Sequence, residues 1–377
     1  KCLFIVSICV LITRKTSREY NGHHHRIMAS RRALVTGATG VVGRYLLKHL
    51  VETGAWDIVA VSRRKPDIIG GYEHIAADLT DAADCRAKFA HLNDLTHVFY
   101  AAYLERPTQP ESVAANLGML TNMMDAIEPV AKNLEHINLV EGTKWYGSHL
   151  GPFKTPAKES DPRLAQTLFY YDQQDFLEAR QQGKRWNWSA IRPHTICGFS
   201  LGSPMNLTTV IAVYAVICKE LGLPLSHPGK PLNYRILYQA TDSALVARAM
   251  VWMATTPQCA NQAFNITGGD LFRWENLWPK IARFFEMEVG PQKHINLQQF
   301  MADKGPVWDR IVKQYGLKAC RFEEIAAWKF GDFVFSAEWD VISDMVKARR
   351  FGWAEAEDSE EMFLRLFAEF RRERIIP

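Results

Sequence analysis

Ala33-Leu34-Val35-Thr36-Gly37-Ala38-Thr39-Gly40-Val41-Val42-Gly43 joins an apolar run to three glycines spaced three apart. Arg44-Tyr45-Leu46-Leu47-Lys48-His49-Leu50 follows, with apolar residues at helical spacing. The stretch reads as strand, tight turn and helix. Glycine has no Cβ, so such a turn lets main-chain N–H groups at a helix N-terminus approach a pyrophosphate. Three glycines alone are a weak signal, but between a strand and a helix they point to a dinucleotide. Gly37, Thr39, Gly40, Val41, Val42 and Gly43 are the expected cofactor contacts. The competing reading is a tight turn that holds no ligand.

The alternation continues downstream. Strands are expected at 57–62, 74–79, 97–102, 136–140 and 188–193, with helices at 81–92, 111–130 and 170–182 between them. This spacing argues for an α/β, Rossmann-type, doubly wound parallel sheet. Right-handed crossovers place every strand's C-terminal end on one edge, where ligands bind. Beyond Pro193 the pattern changes to apolar helices at 206–221 and 239–254, a short strand at 263–267, and a mostly helical remainder rich in Trp and Phe. The expected division is therefore a Rossmann domain at 28–200, rejoined by 239–270, and a mostly helical C-terminal substrate-binding subdomain formed by 201–238 and 271–377. Residues 1–27, with a ten-residue apolar run and His23-His24-His25, read as a leader- or tag-like segment ahead of a start at Met28. That run is too short to span a bilayer.

The net charge of +4 hides an uneven distribution. Residues 1–32 carry seven Lys or Arg and one Glu, so residues 33–377 carry a net charge of −2. The body offers no electrostatic case for nucleic acid, and no membrane partner is expected. Seven cysteines lie far apart with no metal-ligand spacing, so no metal is expected and a reducing cytoplasm is the default. A homodimer is compatible with this reading.

At the end of the second strand, an NAD site usually presents an acidic residue to the ribose 2′-hydroxyl. Ser62-Arg63-Arg64 stands there instead, and a planar guanidinium suits a 2′-phosphate. NADPH is the expected cofactor, and a solvated basic loop is the alternative. Asp78 either accepts from the adenine amino group or starts a helix. Leu79, Ala101 and Tyr103 complete the expected cofactor contacts.

Short-chain dehydrogenases usually carry Tyr-x-x-x-Lys on a helix, where the lysine helps the tyrosine shuttle a proton. None of the twelve tyrosines here has Lys four residues later. Yet Tyr170-Tyr171 opens the helix after the fifth strand, where that motif belongs, and Lys144 follows the fifth strand itself. Either the lysine has moved in sequence while keeping its place in space, or these are a surface lysine and two half-buried aromatics.

Several segments bear on that choice: Gly142-Thr143-Lys144-Trp145-Tyr146, Gly151-Pro152-Phe153, Phe169-Tyr170-Tyr171 and Arg192-Pro193-His194-Thr195-Ile196-Cys197-Gly198-Phe199-Ser200. With Met205-Asn206-Leu207, Pro306-Val307-Trp308, Phe330-Gly331-Asp332 and the ending Ile375-Ile376-Pro377, they resemble the progesterone 5β-reductase/iridoid synthase family. That is an atypical group of extended short-chain dehydrogenases, and the resemblance runs in order from about residue 31 to the C-terminus. It implies NADPH-dependent reduction of the activated C=C bond of a small-molecule enone or enal. It also implies Lys144 and Tyr170 as the catalytic pair, Arg63 and Arg64 as the 2′-phosphate contacts, and Pro193 and Ile196 beside the nicotinamide. Tyr103, Phe153, Met205, Trp308 and Phe330 are the substrate-pocket candidates, and for any single one of them core is the safer reading. Two departures stand near the pocket mouth: Tyr103 where plant members tend to have Trp, and Thr143 where they have Arg. The rival functions are a carbonyl reductase or nucleotide-sugar epimerase or dehydratase, and a non-catalytic NADP(H)-sensing regulator.

Overall fold

In the computed structural model, which describes residues 31–377, β1 (Arg31–Thr36) runs into the glycine turn and then α1 (Val41–Thr53). The leader reading for 1–27 lies outside the described residues. Gly54 ends α1 in the left-handed region (φ 61°), which glycine adopts at little cost. β2 (Trp56–Val61), β3 (Glu73–Ile75), α2 (Ala82–Phe89), β4 (His97–Tyr100), α3 (Gln109–Ile127), β5 (His136–Val140), α4 (Phe169–Gln181) and β6 (Asn187–Arg192) continue the alternation. β7 (Ile196–Cys197), α5 (Leu207–Glu220), β8 (Thr241–Asp242), α6 (Ser243–Thr255) and β9 (Gln262–Asn265) follow.

Seven strands form one sheet in the order β3-β2-β1-β4-β5-β6-β9, every pairing parallel. The winding reverses between β1 and β4, and that reversal opens a crevice beyond their carboxyl ends. Register sets its floor: Thr36 pairs with Val61 on one side and Tyr100 on the other, so three strands end at one level.

One sheet face packs Leu46, Leu47, Met250 and Met253 from α1 and α6. The opposite face packs Phe89, Leu120, Met123 and Leu177 from α2, α3 and α4. A third core joins α5 to α7 (Trp274–Phe284), α8 (Leu297–Phe300), α9 (Gly305–Tyr315), α10 (Phe322–Ile325), α11 (Trp328–Phe335) and, beyond α12 (Val346–Arg350), α13 (Ser359–Arg372). α13 shows why these segments are helices. Met362, Phe363, Leu366, Phe367 and Phe370 recur every three or four residues and are all buried.

Element ends shift where local chemistry intervenes. The helix expected from 239 begins at Ser243, because Thr241 and Asp242 pair with Ile196 and Cys197 as a separate two-stranded sheet. Asp242 then caps α6 by accepting from the Ala244 N–H. The third strand stops at Ile75 rather than 79, and α2 stops at Phe89 rather than 92. α3 starts earlier than 111, on a capping box between Thr108 and Glu111, and ends at Ile127. No helix among the described residues is long and apolar enough to cross a membrane.

Candidate functional site

Two of the three glycines are sterically required. Gly37 has φ +64°, and a Cβ there would lie 2.5 Å from the Ala101 carbonyl oxygen. A Cβ on Gly43 would lie 2.2 Å from the Gly37 carbonyl oxygen. The turn is therefore pressed against the exit of β4, with α1 seated directly on it. Gly40 is the N-cap of α1 and supplies no side-chain acceptor to the first N–H groups.

This turn lines a cavity of about 440 Å³. Gly37, Thr39, Gly40, Val41 and Val42 contribute from the turn, and Ser62, Arg63, Arg64, Asp78 and Leu79 from the exits of β2 and β3. Ala101, Tyr103, Lys144, Tyr170, Pro193, Ile196, Met205 and Phe330 complete the residues expected from sequence. Gly43 packs behind the turn and lies outside the lining, as do Phe153 and Trp308. Phe153 is half-buried against other aromatics. Trp308 is fully buried and donates its indole N–H to the Cys320 carbonyl at 3.1 Å, so it is core and not pocket wall.

At the β2 exit, the Ser62 hydroxyl donates to the Arg64 carbonyl at 2.6 Å and fixes the loop. Arg63 and Arg64 are exposed along the cavity, and among the described residues neither forms an ion pair. Asp78 Oδ1 accepts from both the N–H and the hydroxyl of Thr80, at 2.9 and 2.8 Å. Those two bonds hold its carboxyl below the ordinary value. The helix-starting role belongs to Asp81, which caps α2.

After β5 the chain tightens into a 3₁₀ turn, Thr143–Tyr146. It carries Lys144 to the cavity wall, where the ammonium meets Met205 Sδ at 4.0 Å and the Phe333 ring centroid at 5.8 Å. A thioether and an aromatic face are weak partners for an ammonium. Burial lowers the Lys144 pKa, with Glu105 acting against that shift. The first turn of α4 brings in Tyr170, packed edge-on to Phe169 at 4.4 Å. Burial, then Tyr103 and Glu141, raise the Tyr170 pKa well above the phenol range, so the hydroxyl keeps its proton at neutral pH. A Cβ on Gly142 would lie 3.3 Å from Tyr170 Oη and 3.4 Å from the Pro193 carbonyl oxygen. The exits of β5 and β6 and the start of α4 thus converge on one hydroxyl.

Sequence reasoning set Thr143 near the pocket mouth but left out His194, Thr195, Ser200, Leu201 and Phe333; all six are in the lining. Phe333 was findable, since it lies three residues after Phe330 on α11 and so shares its face. The Thr143–His194 hydrogen bond spans 51 residues and leaves no local pattern. Among the described residues no cluster of His, Cys, Asp or Glu is arranged to hold a metal ion.

The architecture is that of the short-chain dehydrogenases. A superfamily member from Agrobacterium tumefaciens, solved with bound NAD, superposes with a TM-score of 0.63 at 13% identity, covering 92% of this chain and 98% of that one. At that identity the likeness is one of fold alone. Residues 62–377 match the PRISE-like Rossmann-fold domain, and the chain belongs to that family. An (S)-8-oxocitronellyl enol synthase of Nepeta racemosa is 37% identical over 366 residues, 92% of this chain and 93% of that protein. A 3-oxo-Δ(4,5)-steroid 5-beta-reductase of Arabidopsis thaliana is 35% identical over 364 residues, 92% of this chain and 93% of that protein.

Proposed function

We propose that this protein is an NADPH-dependent oxidoreductase that reduces the activated C=C bond of an enone or enal. The observation that carries the reading is Lys144. Its half-buried ammonium lines the same cavity as the protonated Tyr170, and its contacts there are the Met205 sulfur and the Phe333 ring. The names of the relatives, a 5-beta-reductase and enol synthases, support the same chemistry.

The residues present fit the cofactor. The glycine turn brings backbone close to where a pyrophosphate binds, and Arg63 and Arg64 offer two guanidiniums to a 2′-phosphate. Pro193 and Ile196 line the cavity as the proposed neighbours of the nicotinamide, and Asp78 lines it as the proposed contact of the adenine. When bound, NADPH supplies a hydride to the β-carbon of the substrate. Charge then builds on the carbonyl oxygen, and the protein's task is to stabilise it. Tyr170 donates a hydrogen bond to that oxygen, and the positive field of Lys144 favours the enolate over the ketone. With its pKa raised the phenol keeps its proton, so Tyr170 meets the substrate as a hydrogen-bond donor. Protonation at the α-carbon completes a saturated ketone or aldehyde, consuming one NADPH and one proton.

The test is NADPH oxidation with 2-cyclohexenone, progesterone and 8-oxogeranial, followed by product analysis. Saturated carbonyl products are expected. An allylic alcohol would show carbonyl reduction instead, and no turnover by folded, cofactor-loaded protein would end the reading.

A further inference from the structure

In the cavity wall, with Tyr238 behind it, lies a run of hydroxyls and one imidazole that the reaction above does not use. Tyr238 Oη and Thr195 Oγ1 are 2.8 Å apart. Thr195 Oγ1 is 3.1 Å from His194 Nε2, and His194 Nδ1 is 2.6 Å from Thr143 Oγ1. His194 is clamped by its backbone, since Thr241 Oγ1 accepts from its N–H at 3.2 Å and donates to its carbonyl at 2.7 Å. Its ring lies 4.8 Å from that of Tyr238. Thr195 sits at φ +36°, a conformation that a β-branched residue adopts only when its surroundings enforce it.

What this chain can donate follows from its supply of protons. Burial pushes the His194 pKa down to about 3, so the ring is neutral and has one donor and one acceptor nitrogen. Tyr238 is buried, and Thr195 Oγ1 is the one partner its hydroxyl has among the described residues. A buried phenol that failed to donate would leave its proton unsatisfied at a cost of about 1–3 kcal/mol. Tyr238 therefore donates to Thr195, and the three contacts of the run take up three of its four protons. The fourth proton is left over, on Thr143 where Nδ1 carries the ring hydrogen and on Thr195 where Nε2 carries it. Among the described residues it has no acceptor, and Thr143 lines the cavity immediately before Lys144.

We infer that the proton left over is that of Thr143, and that its hydroxyl is a ligand-binding donor, aimed into the cavity by His194 and directed at a carbonyl oxygen of the bound pair. This rests on the reading of the cavity as a site for NADPH and an enone. Two carbonyls are then available, the nicotinamide carboxamide and the substrate ketone. Thr143 touches the ligand on this account, whereas His194 is a positioning residue that acts through it.

The experiment compares wild type with Thr143→Val, Thr143→Ser and His194→Phe, and with the Thr143→Val/His194→Phe double variant. NADPH dissociation constants come from fluorescence titration, and kcat and KM from 2-cyclohexenone reduction. Thr143→Val should lose roughly three- to tenfold, the worth of one neutral hydrogen bond, and Thr143→Ser should recover it. A loss in NADPH affinity assigns the carboxamide; a loss in enone kcat/KM at unchanged NADPH affinity assigns the substrate carbonyl. His194→Phe should match Thr143→Val and add nothing to it in the double variant, which a purely structural role would not produce. Thr143→Val indistinguishable from wild type in both readouts overturns the inference and leaves the proposed function standing. Additive losses overturn the His194 part. A wild type that binds NADPH but reduces no enone overturns the function instead, while the affinity comparison still decides the role of Thr143.

Discussion

Arg192 Nε lies 2.7 Å from Glu141 Oε2, with both side chains sealed from solvent at the exits of β6 and β5. The guanidinium also donates to the Tyr146 hydroxyl at 3.2 Å and the Gln174 side-chain oxygen at 3.0 Å, and stacks over Trp145 at 3.5 Å. One cation thus ties the Lys144 turn to the helix that carries Tyr170. Burial opposes the charge, but Glu141 and Tyr146 outweigh it and hold the Arg192 pKa above its ordinary value. Removing one member strands the other. Glu141→Ala should cost about 3–5 kcal/mol, read as a lower urea midpoint, with Glu141→Gln intermediate. Because the pair underlies both site residues, activity should fall further than stability alone explains.

The two arginines after β2 should set cofactor choice. Arg63→Ala/Arg64→Ala should weaken NADPH binding roughly ten- to hundredfold, as lost charge-assisted hydrogen bonds do, and leave NADH almost unaffected. The ratio of kcat/KM for the two cofactors measures this. An unchanged ratio would return Arg63 and Arg64 to the status of a solvated loop.

The turn should tolerate no Cβ at its tightest point. Gly43→Ala places a methyl 2.2 Å from the Gly37 carbonyl oxygen, where backbone has to move. A loss of about 1–3 kcal/mol is expected, with weaker NADPH binding as α1 is pushed off the turn. Gly54→Ala makes a useful contrast. Its Cβ meets open space, so strain at φ +61° is its main cost and cofactor affinity should hold.

Buried histidines give the fold a pH limit. Burial lowers the pKa of His97 to about 4 and of His136 to about 3, and the His136 ring is held 2.7 Å from Ser189 Oγ. Unfolded histidine titrates near 6.5, so below that pH the unfolded chain binds protons that the native state refuses. Their contribution is present above about pH 6.5 and is lost as pH falls toward 4. The urea midpoint should drop steadily over that interval, and His136→Gln should flatten the drop.

Much of this architecture is legible in the sequence, for identifiable reasons. The glycine turn and the apolar runs of β1, β2, β4, β5 and β6 are local signals, and they place each strand within a residue or two. Arg63 and Arg64 follow from position at a strand end, whereas position leaves Lys144 and Tyr170 open and the family resemblance pairs them; all four line one cavity. What stayed hidden depends on contacts distant in sequence. Trp308 looked like pocket wall because aromatic character does not say which helix face is covered; α9 buries it with Val307 and Ile311. Thr241 and Asp242 looked like the start of a helix because their pairing partner lies 45 residues upstream, at Ile196 and Cys197. His194 carries no local mark of its bond to Thr143.

The most direct test of the account is the rate and product of 2-cyclohexenone reduction by Tyr170→Phe, measured at saturating NADPH beside wild type. Loss of a preorganised donor to the developing oxyanion predicts cyclohexanone as the wild-type product and a fall in kcat of about 10²-fold or more, with NADPH affinity unchanged. A Tyr170→Phe enzyme that makes cyclohexanone at the wild-type rate would contradict it.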